Sequence, residues 1–225
     1  MARRRRSVLP DTATIFVALG ALLLIVGAGV RDVQSQVSIG LAIGGYNGTV
    51  TGDAPKDAGY NGKSGLAGAV ILEYRLKPDV AFSFQPGITQ KGTVIAFDIP
   101  GSDEKRDSID IAVDYISLPL IARVIGSGGR WYVTGGAEVG LVSSATGTLV
   151  EGGDDEVDLS EAIESVDFGA VFGIGTFIPV GPLRTFIEVR WTQGLLNIGT
   201  DEGTNTRIRN TGRHLLFGIL HNFGS

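Results

Sequence analysis

The feature that most constrains this chain is an alternation in which charged side chains share a face with its smallest residues. From Val37 onward no long segment has helical period, and apolar residues recur at every second position, as on strands with two unlike faces. Val37, Ile39, Leu41 and Ile43 oppose Ser38, Gly40, Ala42 and Gly44. Trp131, Val133, Ala137, Val139 and Leu141 oppose Tyr132, Thr134, Gly136, Glu138 and Gly140. Ile187, Val189 and Trp191 oppose Phe186, Glu188, Arg190 and Thr192. Five more segments repeat the pattern: Leu66 to Arg75, Val80 to Lys91, Ile116 to Arg123, Val166 to Gly175, and His214 to Phe223. The alternation predicts eight strands.

Energetics decides which face points where. A soluble barrel of this size hides apolar residues inside and shows its charges to water. Here Glu73, Arg75, Arg123, Glu138, Glu188 and Arg190 lie on the face rich in Gly, Ala, Ser and Thr. An Arg or Lys facing lipid at the bilayer midplane costs about 2–4 kcal/mol, so these charges are expected to point inward and the apolar face outward. Thirty-four glycines in 225 residues, about 15% of the chain, are roughly twice the usual share and show no collagen period. A barrel of about eight strands has an interior just wide enough for side chains to fill, and tiny residues beside large polar ones suit that space.

The connections alternate in length. Residues 77–79, 125–129 and 179–182 are short and rich in Gly or Pro, whereas 47–63, 93–107, 147–165 and 199–211 are long and polar. Short turns at one end and long loops at the other describe an up-and-down antiparallel outer-membrane barrel with its turns facing the periplasm. One segment breaks phase: Ile109, Ile111 and Val113 are out of step with Ile116 to Leu120. A bulge near Asp114 and a strand projecting beyond the membrane are both compatible with it.

Ahead of the strands, Arg3 to Arg6 precede an apolar stretch from Ala13 to Val30, the order of a secretory signal. Val33-Gln34-Ser35 predicts cleavage before Gln36, giving a signal peptide over residues 1–35 and a barrel over 36–225. An uncleaved anchor is the alternative. Cleavage leaves 14 basic against 22 acidic side chains, a net charge of −8, which argues against a nucleic-acid partner. The absence of cysteine excludes a disulfide scaffold and a thiolate metal site.

Several motifs together carry a family resemblance. Gln85-Pro86 with Gln90-Lys91-Gly92, then Tyr115-Ile116-Ser117-Leu118-Pro119-Leu120, then Asp167-Phe168-Gly169 through Gly173-Ile174-Gly175 follow in order. Arg190-Trp191 with Gly194-Leu195-Leu196-Asn197-Ile198 comes next, and the last segment ends in Phe223. From Val37 to Phe223 the chain resembles the small outer-membrane β-barrel domain family of porin-like, PorT-like proteins of Bacteroidetes-type bacteria. The resemblance implies a fold and a location in the outer membrane, with its lipid and the barrel assembly machinery as partners. It implies no shared catalytic residues. Three roles follow in order of expectation: a structural, adhesive or secretion-accessory barrel; a narrow channel for small solutes; and a rim-active lipid-modifying enzyme. A monomer is expected.

No catalytic, cofactor or metal site is assigned. Glu151, Asp154, Asp155, Glu156, Asp158, Glu161 and Glu164 form an acidic stretch without Lys or Arg. Asp154, Glu156 and Asp158 have the opening spacing of a calcium loop, but Leu159 replaces its glycine and Ser165 its closing Glu. A solvated surface loop is expected, with a weak divalent-cation site as the alternative. Gly62-Lys63-Ser64 lacks the earlier glycine of a phosphate loop, because position 57 is Asp. Gly173-Ile174-Gly175 lacks the third glycine of a dinucleotide motif. His214 and His221 fall on opposite faces of the last strand, so no Ser–His–acid set follows. Loop aromatics for partner recognition are limited to Tyr46, Tyr60 and Phe97.

Overall fold

A strand with one apolar face still carries unpaired backbone groups along its edges, and hydrocarbon offers them no partner; closing the sheet on itself removes the edges. This chain does so. The computed structural model describes residues 37–52, 58–98, 105–149, 156–181, 183–199 and 208–223. The signal peptide expected over 1–35 lies outside them.

Ten strands are present among the described residues: β1 (Val37–Gly52), β2 (Ala58–Lys77), β3 (Val80–Phe84), β4 (Gly87–Asp98), β5 (Lys105–Ile125), β6 (Trp131–Leu149), β7 (Glu156–Asp158), β8 (Val166–Val180), β9 (Leu183–Gly194) and β10 (Ile208–Asn222). They form eight staves. β3 and β4 both lie between β2 and β5, one above the other, and are two halves of a single stave. β7 is a short addition on the upper part of β6. The ring runs on through β6, β8, β9 and β10 and closes where β10 pairs with β1, Ser38 opposite Asn222. Every pairing is antiparallel, as the alternation predicts.

The break between β3 and β4 falls at Gln85-Pro86, where proline has no N–H for the ladder. The Val70 N–H donates to the Pro86 carbonyl at 2.9 Å, and the Gln85 N–H to the Pro119 carbonyl at 3.0 Å. Pro86 and Pro119 thus meet at one interruption, which is how interior strands accommodate them.

Short turns at 78–79, 126–130 and Gly181 gather at the end that also holds Val37 and Asn222. Gly129 (φ 69°) and Gly181 (φ 59°) supply the left-handed conformations two of these turns need. At the opposite end the strands run further than the polar sequence suggests. β2 starts at Ala58, β4 reaches Asp98 and β5 starts at Lys105, so much of 47–63 and 93–107 is strand rather than loop. Polarity excludes a segment from lipid; it does not prevent pairing. The 21 residues of β5 extend about 70 Å, more than twice the roughly 30 Å hydrocarbon core.

The out-of-phase segment has a specific cause. Asp114 pairs with Ser144 and Tyr115 with Val142, so the extra residue of the bulge is Ser143, on β6 rather than on β5. β5 keeps one phase throughout: Ile111 and Val113 share the inward face of Tyr115, Ser117, Ile121 and Arg123. A second irregularity, between Gly62 and Ala67 of β2, turns the upper part of that strand so that Tyr60 pairs with Ile95 on the inner side.

Candidate functional site

The interior has two storeys. The lower one is polar. Glu73 from β2, Arg123 from β5 and Glu188 from β9 are almost wholly buried, at 2%, 0% and 0% exposure. Arg123 pairs with Glu73 and lies 3.8 Å from the Glu188 carboxylate, which accepts Arg190 Nε–H at 2.7 Å. Arg190 also donates to Gln85 Oε1 at 2.8 Å, and Gln85 to Ser83 at 2.9 Å. Higher up, Lys91 from β4 reaches Glu138 at 2.9 Å and Asp167 at 3.8 Å. Six staves therefore contribute to the charge stack, and each carboxylate is met by a cation from another part of the chain or its own strand. That is the condition under which buried charge is tolerated.

Aromatic rings fill what the charges leave. The Arg123 guanidinium lies 4.5 Å from the Tyr132 ring centroid and 5.4 Å from that of Phe177, within cation–π range. The rings need glycines beneath them. A Cβ at Gly212 would overlap the Tyr46 ring, one at Gly175 the Tyr132 ring, and one at Gly218 the Phe186 ring. The glycine excess is thus spatial, with missing side chains making room for neighbours across the ladder. A gap of about 20 Å³ among Gln85, Glu138, Arg190 and His214 has room for one water and no more.

The upper storey inverts this chemistry. Above Tyr115 a cavity of about 250 Å³ is lined by Val50, Tyr60, Ile95, Ile111, Val113, Ile198 and Ile208, with Leu159, Ala162 and Ile163 over it. The last three belong to the connection between β7 and β8, within the acidic stretch. Backbone bonds hold this connection in place: Leu159 N–H to Ala145 O, and Glu164 N–H to Ile198 O, both at 2.9 Å. An isolated bridge joins Ile163 to Gly199. Asn210 makes the floor, donating to Asp167 Oδ2 at 2.8 Å and to Tyr115 Oη at 3.1 Å. Lys91 Nζ stands 4.7 Å from the centre of the Tyr115 ring.

Most sequence-predicted inward charges are where the alternation places them, and for two of them the pairing is a matter the alternation does not address. Arg190 finds its partner on its own strand, in Glu188, because both side chains point inward two residues apart and the guanidinium folds back. Arg75 does not join the stack: its Nη2 is buried without a hydrogen-bond partner, close to Arg184 near the short-turn end. Arg184 stacks 3.9 Å from the Phe177 ring.

The loop aromatics need correcting. Tyr46 is 3% exposed in β1, Tyr60 lines the upper cavity and Phe97 lies in β4, because the strands outrun the membrane. His214 is buried against Thr192 (3.3 Å) and the edge of the Tyr46 ring, while His221 is exposed. Gly62-Lys63-Ser64 and Gly173-Ile174-Gly175 are strand segments. Of the calcium-loop candidates, Asp154 lies outside the described residues. Asp158 accepts the Ser160 N–H at 2.8 Å, and hydrogen bonds from Ser160 hold its carboxyl below the usual range. Among the described residues no cluster of His, Asp and Glu has the arrangement of a metal site. What the alternation misses is the apolar lid. Its sequence signal is Leu159, Ala162 and Ile163 inside an acidic run.

Residues 31–199 match the sequence profile of the outer membrane protein beta-barrel domain. No curated protein matches the chain. Among solved structures, the chain is similar to Neisserial surface protein A, with 13% identity and a TM-score of 0.45 over 82% of this chain and 97% of that one. It is similar to the attachment invasion locus protein Ail of Yersinia pestis, with 14% identity and a TM-score of 0.41, over 82% of this chain and 99% of the other. OprG from Pseudomonas aeruginosa gives 14% identity and a TM-score of 0.38, over 84% and 100% respectively.

Proposed function

This chain belongs to the outer membrane protein beta-barrel domain family and resides in the outer membrane, and on that premise we propose that it is a closed, non-conducting barrel whose work is done at its projecting rim, as a structural or adhesive element or as an accessory to a secretion machine. One observation carries the reading: the lower interior is filled by Lys91, Arg123 and Arg190 interlocked with Glu73, Glu138, Asp167 and Glu188. A pore that passes solutes needs a continuous wet path, and paired charges packed against rings argue against one. The short turns then face the periplasm and the long strand extensions the cell exterior, following the general plan of such barrels.

The non-enzymatic part of the proposal rests on the same geometry. A rim-active hydrolase needs a nucleophile, a base and an orienting acid in mutual contact. His214 contacts Thr192 and Tyr46 inside the plug instead. Photo-crosslinking in intact outer membranes tests the assignment. A reactive group placed at the exposed rim residue Ser160 is expected to capture a protein partner, and one at the lipid-facing Phe172 only lipid. Adducts confined to Phe172, together with solute uptake that depends on the protein, would assign the work to the barrel bore instead.

A further inference from the structure

The upper cavity is larger than a packed interior leaves by accident. Inward apolar residues on the projecting strands have an obvious reading as a small hydrophobic core that stiffens the rim. Such cores are packed with few voids larger than a water molecule. Here about 250 Å³ stays open among Val50, Ile111, Val113, Ile198, Leu159 and Ile163. The chamber is open on one side, which lets a ligand enter, and an enclosed apolar cavity of about 150 Å³ is already large enough to hold benzene.

We propose that this chamber is a binding site for one small, uncharged, apolar molecule, of the size of a medium-length aliphatic chain. The walls and lid set the apolar character. The floor sets the charge: Lys91 is taken by Glu138 and Asp167, and Asn210 by Asp167 and Tyr115. Among the described residues that line the chamber no cation is present to receive a carboxylate, and Asp167 repels one. The plug below makes the site a dead end, so the ligand is held rather than passed through. The chain's own segments between the described strands are poor occupants. Residues 53–57, 99–104, 150–155 and 200–207 offer only Ala54, Ile99 and Val150 as aliphatic side chains besides two prolines.

The test uses the mature protein in lipid nanodiscs with methyl-labelled Ile and Val, titrated with 1-octanol as the probe. Saturable shifts are expected at Ile111, Val113 and Ile163, with only linear, partition-type changes at the lipid-facing Ile88 and Ile43. Filling the chamber by Val113→Phe, or from the lid by Ala162→Phe should the first variant fold poorly, is expected to weaken the saturable phase about tenfold or more. Thermal stability should be unchanged in the lid variant. Linear changes at every methyl would overturn the proposal, showing octanol in the bilayer only. So would saturable binding that appears only after residues 201–206 are deleted, because the chamber would then belong to the chain itself. A shift unaffected by either filling variant also overturns it.

Discussion

Replacing Glu188 with alanine probes the charge stack at its most connected point. The carboxylate is fully buried, accepts Arg190 Nε–H at 2.7 Å and lies 3.8 Å from Arg123 Nη2. Breaking a buried pair from one side costs about 3–5 kcal/mol, because a charge is left without compensation. Arg123 keeps Glu73, and Arg190 keeps Gln85 as a hydrogen-bond acceptor. The expected loss is therefore at the lower end, about 3 kcal/mol. Glu188→Gln preserves volume and an acceptor and should lose less, about 1–2 kcal/mol. Because Glu73 and Glu188 share Arg123, removing both should depart from additivity. Equilibrium urea unfolding in lipid vesicles, followed by tryptophan fluorescence and heat-modifiable gel mobility, measures wild type, both Glu188 variants, Glu73→Ala and the double alanine variant. A Glu188→Ala variant within about 0.5 kcal/mol of wild type would refute the reasoning and show the carboxylate to be hydrated.

Other expectations follow from the same structure. Gly175→Ala should destabilise by about 1–3 kcal/mol through overlap with the Tyr132 ring and the Ile187 carbonyl, and Tyr132→Leu should restore only part of the loss, read by the same unfolding assay. The chain has no cysteine, so single cysteines report topology. Ser160→Cys should react with an impermeant maleimide on intact cells, and Asp79→Cys only after the outer membrane is opened; the reverse order would invert the barrel. Replacing Asp154, Glu156 and Asp158 by Asn, Gln and Asn should leave the melting temperature unchanged with or without calcium, whereas a calcium-dependent rise lost in that variant would establish a cation site.

Much of this architecture is legible because two strong rules act on the same residues. Glu138 and Arg190 cannot face lipid, and the two-residue period then carries Thr134, Thr192 and their neighbours inward with them. The family-like prolines are legible as positions but not as a joint: that Pro86 and Pro119 meet at one break depends on which strands pair, which no local pattern encodes. Register irregularities are similarly silent. Ser143 as the bulged residue, and the turn of β2 between Gly62 and Ala67, change which side chains face inward without altering composition. The partner of Arg190 depends on how one long side chain folds back, not on its parity. The upper chamber was hidden for a different reason. Leu159 and Ile163 lie among acids, and a stretch dominated by charge reads as solvated surface even when its few aliphatic residues turn the other way.

The central claim is that interlocked charges close the bore of this barrel. Single-channel recording of the purified protein in planar lipid bilayers tests it most directly, with the Glu188→Ala variant alongside. The structure predicts no steady conductance steps for wild type, since the gap among Gln85, Glu138, Arg190 and His214 is only about 20 Å³. Large, stable steps from the wild-type monomer, unchanged in Glu188→Ala, would contradict it.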